Sequence, residues 1–87
     1  MPTISQFFGI LIRMYFDDHA PPHFHAIYGN EEAVLAVDTL AVVEGHLPRR
    51  ALSLVLEWAS LHRAELRDNW SRAERHEPLK PVPPLDA

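Results

Sequence analysis

The stretch from Arg49 to Arg75 contains no proline and no glycine, although the chain has eight prolines and three glycines. Pro48 directly precedes it and suits the first turn of a helix, where a missing N–H costs nothing. Placed at helical steps, the apolar residues of this stretch fill an arc of roughly 220°, wider than the ~100° stripe of a surface helix. We therefore predict a helix that bends near Ala64–Asn69 into two packed pieces, or whose second side is covered by another subunit.

The half of the chain before Pro48 has the period-two alternation of apolar residues that is typical of β-strands. Gly29-Asn30 lies between two such runs and predicts a hairpin, with the turn type left open. The predicted strands are Ile10–Phe16, His23–Tyr28, Glu32–Asp38 and a short fourth strand in Thr39–Glu44.

These patterns predict one α+β domain over residues 1–87. Residues 1–47 form a three- to four-stranded, mainly antiparallel sheet, residues 48–77 form one long or broken C-terminal helix, and residues 78–87 form an extended Pro-rich tail. The absence of cysteine excludes disulfide scaffolds, cysteine zinc sites and thiol catalysis. The sequence has neither an apolar span of ~20 residues nor a signal peptide. We therefore expect a cytoplasmic location and no membrane partner.

The net charge of −4 is unevenly distributed along the chain. Arg13 is the one basic residue of the first half, against six acids, whereas the second half holds seven bases and six acids. An acidic half suits cations or basic partners better than phosphates. We therefore expect no nucleic acid on the sheet half, and the arginine-bearing helix is the one surface suited to an acidic partner.

The stretch from Asp17 to His25 carries the residues best suited to chemistry. Its two consecutive prolines break the first strand and form a turn. His23 and His25 then lie two apart on a strand, so both imidazoles face the same side and can bind one divalent metal ion. An acidic residue or His19 can complete the site by folding back over the turn. The candidate metal ligands are Asp17, Asp18, His19, His23 and His25.

The same face also supports a second interpretation that needs no metal. If the first two strands pair in antiparallel register, Arg13 and Tyr15 share the face of His23 and His25. These four candidate catalytic residues could position a phosphate and move protons, as a metal-independent ribonuclease requires. A third interpretation is that they only form the solvated face of a sheet whose other face packs against the helix.

Several blocks of the sequence resemble the bacterial domain-of-unknown-function family 4160. They include the N-terminal Pro-Thr-Ile-Ser and Phe-Phe-Gly, the Pro-Pro-His-Phe-His block ending at His25, and Leu-Pro-Arg-Arg-Ala from Leu47 to Ala51. The resemblance implies a small protein encoded beside a second small protein, in pairs that have been proposed as toxin–antitoxin-like modules. It implies no catalytic residues.

Three functional hypotheses follow. The leading one is a cytoplasmic protein-interaction subunit of a two-gene toxin–antitoxin-like module, which contacts a protein partner, or a second copy as a homodimer, through the helix. The alternative is a nuclease or hydrolase, metal-dependent or metal-independent, that uses the His23/His25 face. A nucleic-acid-binding regulator that uses the arginine-bearing helix is the third.

Overall fold

A computed structural model describes residues 2–86 as an antiparallel sheet followed by two helices; Met1 and Ala87, the outer ends of the predicted domain, lie outside the described residues. The strands follow one another in the sheet in chain order, and each is antiparallel to its neighbour. The predicted α+β class and antiparallel sheet are confirmed. The elements are β1 (Thr3–Phe7), β2 (Ile10–Arg13), β3 (His23–Tyr28), β4 (Glu31–Ala36), β5 (Val42–Gly45), α1 (Arg49–Leu61) and α2 (Arg63–Glu74).

The described part of the sheet has five strands, so the predicted count of three to four is wrong. The additional strand is β1, which joins β2 through a two-residue turn. Both turn residues have positive φ, 50° at Phe8 and 78° at Gly9, as a type I′ hairpin turn requires. Phenylalanine is an unusual residue for this conformation, which is why the turn was not predicted. The first predicted strand also ends early, at Arg13 rather than at Phe16.

The predicted hairpin at Gly29-Asn30 connects β3 to β4, with Ile27 opposite Glu32. Gly29 has a φ of 60° whereas Asn30 has no positive φ, the combination found in type II′ turns. At the end of β5, Gly45 has a φ of 77°, and a Cβ there would lie 2.1 Å from the Glu32 carbonyl oxygen. Glycine at position 45 therefore permits both this backbone conformation and the close approach of β5 to β4.

The helical half is broken into two helices, as one of the predicted alternatives required. The break lies at His62, not near Ala64–Asn69 as predicted. His62 leaves helical geometry at φ −126° and ψ 25°. Its N–H still bonds the Ala59 carbonyl and its own carbonyl accepts from Leu66, so one residue ends α1 and begins α2. Because both neighbouring turns remain hydrogen-bonded, no proline or glycine is needed to mark the break.

The helices bury one face of the sheet, and the Pro-rich tail packs on the same core. The Val82 N–H donates to the Ile4 carbonyl of β1, and the Trp58 indole N–H donates to the Pro83 carbonyl, both at 2.8 Å. The tail therefore covers part of the wide apolar arc as well as the outer edge of β1. No helix within residues 2–86 is both long and apolar enough to cross a membrane. The largest fully buried apolar side chains are Trp58, Phe24, Ile10, Ile12, Met14, Leu35, Leu66, Val37 and Val55.

Candidate metal centre

Two histidines of β3 and one aspartate of the preceding turn converge on the open face of the sheet. His23 and His25 share this face because they are two apart in a strand whose intervening Phe24 is fully buried. The turn between β2 and β3 carries Asp18 back over the strand. One oxygen of the Asp18 carboxylate, Oδ2, lies 3.1 Å from Nε2 of His23 and 3.1 Å from Nε2 of His25.

The second ring nitrogen of each histidine is held by a group that can only accept a hydrogen bond. Nδ1 of His23 lies 2.8 Å from the Pro21 carbonyl oxygen, and Nδ1 of His25 lies 2.8 Å from Oε2 of Glu32. A carbonyl and a carboxylate offer no proton, and these contacts are shorter than the 3.1 Å contacts of the Nε2 atoms with Asp18, so we assign Nδ1 of both rings as the donor. When an imidazole carries a single proton, its Nε2 is then a bare lone pair directed at Asp18.

The arrangement has the donor atoms and spacing of a metal site. Asp18, His23 and His25 each offer one ligand atom, and these atoms all lie within 4.8 Å of one another. Ligands bound at ~2.0–2.2 Å in a tetrahedral zinc site are separated by roughly 3.3–3.6 Å, close to the observed 3.1 Å contacts. The three side chains are 27%, 18% and 15% exposed, so the cluster is partly shielded yet open to solvent on one side.

The other two predicted metal ligands lie outside this cluster. The Asp17 side chain is 91% exposed, and its Oδ1 lies 3.8 Å from Nε2 of His76 at the end of α2. His19 is exposed and lines a concave surface beside His23 without entering the cluster. Of the five predicted ligands, the structure therefore brings together Asp18, His23 and His25.

The predicted catalytic residues Arg13 and Tyr15 both lie beside His25. Arg13 pairs with His25 in the antiparallel register of β2 and β3. Tyr15 presents its ring edge-on to the His25 imidazole, with ring centroids 4.5 Å apart. The Arg13 Nε, however, donates to the Thr3 hydroxyl at 3.3 Å, so this side of the guanidinium points toward β1.

The pattern of the sequence did not single out two residues that contact the cluster. Glu32 orients His25, and the indole of Trp70 in α2 lies 5.0 Å from the His23 ring. The contact of Glu32 with His25 could have been predicted from the sequence. The two-residue hairpin loop places Ile27 opposite Glu32, and Glu32 is therefore diagonal to His25. The contact of Trp70 with His23 could not have been predicted, since the position of Trp70 depends on how α2 packs.

One family of known sequences matches a part of the chain that contains the whole of this site. A family model described as "Domain of unknown function (DUF4160)" matches residues 9–71, which include Asp18, His23, His25, Glu32 and Trp70. The chain belongs to the DUF4160 family. The resemblance predicted from the sequence is thus confirmed. Neither the curated proteins nor the solved structures give a significant match.

Acidic side chains surround the candidate metal centre of this DUF4160 protein. Glu32 and Glu44 line a concave surface with His25 and Val34 on the side of β4 and β5. Asp17 lies on the side of the β2–β3 turn, where it lines a second concave surface with Asp18. A local excess of negative charge attracts cations and repels phosphates.

Three arginines in the helical half of this DUF4160 protein, Arg67, Arg72 and Arg75, form ion pairs. Arg67 contacts Asp38 at 3.1 Å and Arg72 contacts Asp68 at 2.9 Å. The hydrogen bond from Arg72 lowers the pKa of Asp68 below its ordinary value. At the end of α2 the hydrogen bond between Arg75 and Glu77 lowers the pKa of the Glu77 carboxyl and raises that of Arg75. Pairing of this kind weakens α2 as a surface for nucleic acid, which requires unpaired positive charge.

Proposed function

We propose that this protein binds a divalent transition-metal ion through Asp18, His23 and His25. The observation that carries the proposal is the set of contacts made by the ring nitrogens. Nδ1 of both histidines faces an obligate acceptor, so both Nε2 atoms turn to the same carboxylate oxygen. A cation at this point would satisfy all three groups. Without one, and with the Nδ1 assignment above, two nitrogen lone pairs and a carboxylate oxygen face one another with no positive charge between them.

The groups behind the candidate ligands support the proposal. Metal-binding histidines typically donate their second ring N–H to a carboxylate or a backbone carbonyl, which fixes the ring and raises its basicity as a ligand. His25 has such a carboxylate in Glu32, and His23 has such a carbonyl in Pro21. Two imidazoles and one carboxylate suit Zn²⁺, and with open positions they also suit Fe²⁺.

The metal-dependent hydrolase is the enzymatic function that best fits this site. Three protein ligands with an open position are typical of catalytic zinc, whereas structural zinc sites use four protein ligands. A bound metal ion would act as a Lewis acid there. Because Glu32, Glu44 and Asp17 surround the site, we propose a neutral or cationic substrate, and we regard a nuclease as the weaker alternative.

Metal binding is tested on untagged protein, because an affinity tag of histidines would bind metal itself. The protein is stripped with a chelator and titrated with ZnCl₂ in a calorimeter, and its metal content is measured by mass spectrometry after dialysis. Loss of a group behind a ligand typically costs 10–100-fold in metal affinity, so we expect His25→Ala, which removes a ligand itself, to weaken Zn²⁺ binding by at least about 100-fold. The matched control is His46→Ala, which removes a histidine that is 75% exposed and lies outside the cluster. Equal Zn²⁺ affinity in the two variants would contradict the proposal.

A second function, a cytoplasmic protein-interaction subunit of a two-gene toxin–antitoxin-like module, is supported by surface residues. Leu61 at the end of α1 is 67% exposed and Val43 in β5 is 61% exposed. Val43 lies on an outer strand beyond which the described sheet has no further strand, and edges of this kind accept strands of partner proteins. Coexpression with the adjacent gene's product followed by light scattering tests this role. A stable complex is expected, and a monomer that does not bind that product would contradict it.

A further inference from the structure

We propose that β5 is a docking edge for a basic β-strand of a partner protein. This inference rests on the proposed interaction function and does not require a metal ion at the neighbouring metal centre. The surface consists of Val42, Val43, Glu44 and Gly45, which we call the β5 edge.

The two outer strands of the sheet, β1 and β5, differ in whether another segment of the described chain covers their outer side. The outer side of β1 is covered, because the tail residue Val82 donates its N–H to the Ile4 carbonyl at 2.8 Å. On the other side, β5 pairs with β4, and no further strand of the described chain lies beyond it. All four residues of the β5 edge are exposed. Unpaired edges of this kind accept an added strand, and proteins usually protect them with lysine, proline, a bulge or a covering segment. The β5 edge has a bulge at Val43 in its pairing with β4, but it has no lysine, no proline and no described segment that covers it.

The charge of the β4–β5 hairpin determines which strand fits. No lysine or arginine occurs between Arg13 and Arg49, so the hairpin carries acidic groups and no basic residue of its own. These acids are Glu31, Glu32, Asp38 and Glu44. Of them, Asp38 is paired with Arg67 of α2 at 3.1 Å. Glu44 lies in the β5 edge itself, where a neighbouring strand would meet it.

The same charges disfavour a second copy of this chain at the β5 edge. Edge-to-edge pairing of two β5 strands would bring two acidic hairpins together, and like charges on facing strands are destabilising. A basic strand instead places lysine or arginine against Glu44. In strand addition the main-chain hydrogen bonds supply affinity and alternate side chains supply specificity. On the β5 edge, Val43 offers an apolar contact and Glu44 a charge contact, and both line one concave surface.

The probe is a pair of synthetic peptides with blocked ends, one alternating valine with lysine and the other valine with glutamate. Each is titrated into the full chain at low salt while backbone amide resonances are recorded by NMR. We expect shifts centred on Val42–Gly45 and an affinity for the lysine peptide about tenfold higher, a difference of ~1.4 kcal/mol. Glu44→Lys should abolish this preference. Its control is Glu57→Lys, which makes the same change of net charge at an exposed position of α1.

Shifts centred on another surface, equal binding of both peptides, or a dimer formed through β5 would overturn the inference. Val43→Pro supplies a second variant, because proline removes a main-chain donor and is tolerated at sheet edges. If the adjacent gene's product binds the wild type and also binds Glu44→Lys and Val43→Pro equally well, the β5 edge is wrong while the interaction function stands. If that product does not bind the wild type but the lysine peptide does, the interaction with the adjacent gene's product is wrong while the β5 edge stands.

Discussion

Glu32 accepts a hydrogen bond from Nδ1 of His25 at 2.8 Å, and this contact leaves the other ring nitrogen of His25 facing Asp18. The two residues come from different strands, joined by the tight turn at Gly29-Asn30. The hairpin therefore does more than extend the sheet. It supplies the group that orients one of the candidate metal ligands.

Glu32→Gln tests this orienting role. The amide can still accept from His25, but it lacks the negative charge that strengthens the ring as a ligand. Loss of such a supporting group typically lowers metal affinity 10–100-fold, and we expect about tenfold for this conservative change. Zn²⁺ titration calorimetry measures the difference. The matched control is Glu31→Gln, which alters the neighbouring carboxylate that pairs with the exposed His46. Equal losses in both variants would assign the effect to net charge alone.

Trp70 should report on occupation of the site. Its indole lies 5.0 Å from the His23 ring, so a Co²⁺ ion bound to that ring would quench its fluorescence. We expect Trp70→Phe to remove most of the Co²⁺-dependent quenching while Co²⁺ affinity, measured by calorimetry, changes little. Trp58, which donates to the Pro83 carbonyl, provides the residual emission. Quenching that persists undiminished in Trp70→Phe would place the Co²⁺ ion elsewhere.

Asn69 is predicted to hold the Pro-rich tail. Its buried side-chain amide donates to the Lys80 carbonyl at 2.9 Å and accepts from the Lys80 N–H at 2.8 Å. Asn69→Ala removes both bonds, and we expect the free energy of unfolding to fall by about 2 kcal/mol. Urea denaturation measures the change. Asn30→Ala, at an exposed hairpin turn, is the control and should cost less than about 0.5 kcal/mol. A similar cost for the two variants would argue against tail docking through Asn69.

Two glycines with similar positive φ should differ in their tolerance of alanine. At Gly45 a Cβ would meet the Glu32 carbonyl oxygen at 2.1 Å, whereas at Gly29 it would meet nothing within 4 Å. We expect Gly29→Ala to cost about 1 kcal/mol from backbone strain alone and Gly45→Ala at least about 2–3 kcal/mol. Thermal or urea unfolding of both variants distinguishes these values. If the two costs are equal, β5 does not approach β4 as closely as described.

The period-two pattern was sufficient to predict four of the five strands, β2 to β5, and the shared face of His23 and His25. That inference needs only local alternation, and the pairing of Arg13 with His25 follows once the antiparallel register is assumed. Local patterns failed where a residue adopts an uncommon conformation or depends on distant packing. Phe8 has positive φ although it is neither glycine nor asparagine, so the local pattern did not predict the turn after β1.

The break at His62 and the docking of the tail depend on tertiary contacts. Beside the break, Arg63 donates from Nε to the Val37 carbonyl at 3.3 Å, a partner 26 residues away in sequence. The tail is held by Ile4, Trp58 and Asn69, which belong to three different elements. Contacts between such distant segments leave no periodic signal in the sequence.

The most direct test of the metal centre is the Zn²⁺ affinity of the stripped, untagged protein compared with that of Asp18→Asn. The substitution keeps the shape of the side chain while removing the charge that both histidines face. We predict that the wild-type chain binds one Zn²⁺ ion and that Asp18→Asn, which changes a ligand itself, weakens this binding by at least the ~100-fold that marks the upper end for groups behind ligands. A wild-type chain that binds no Zn²⁺, or an Asp18→Asn variant that binds it equally well, would contradict the assignment.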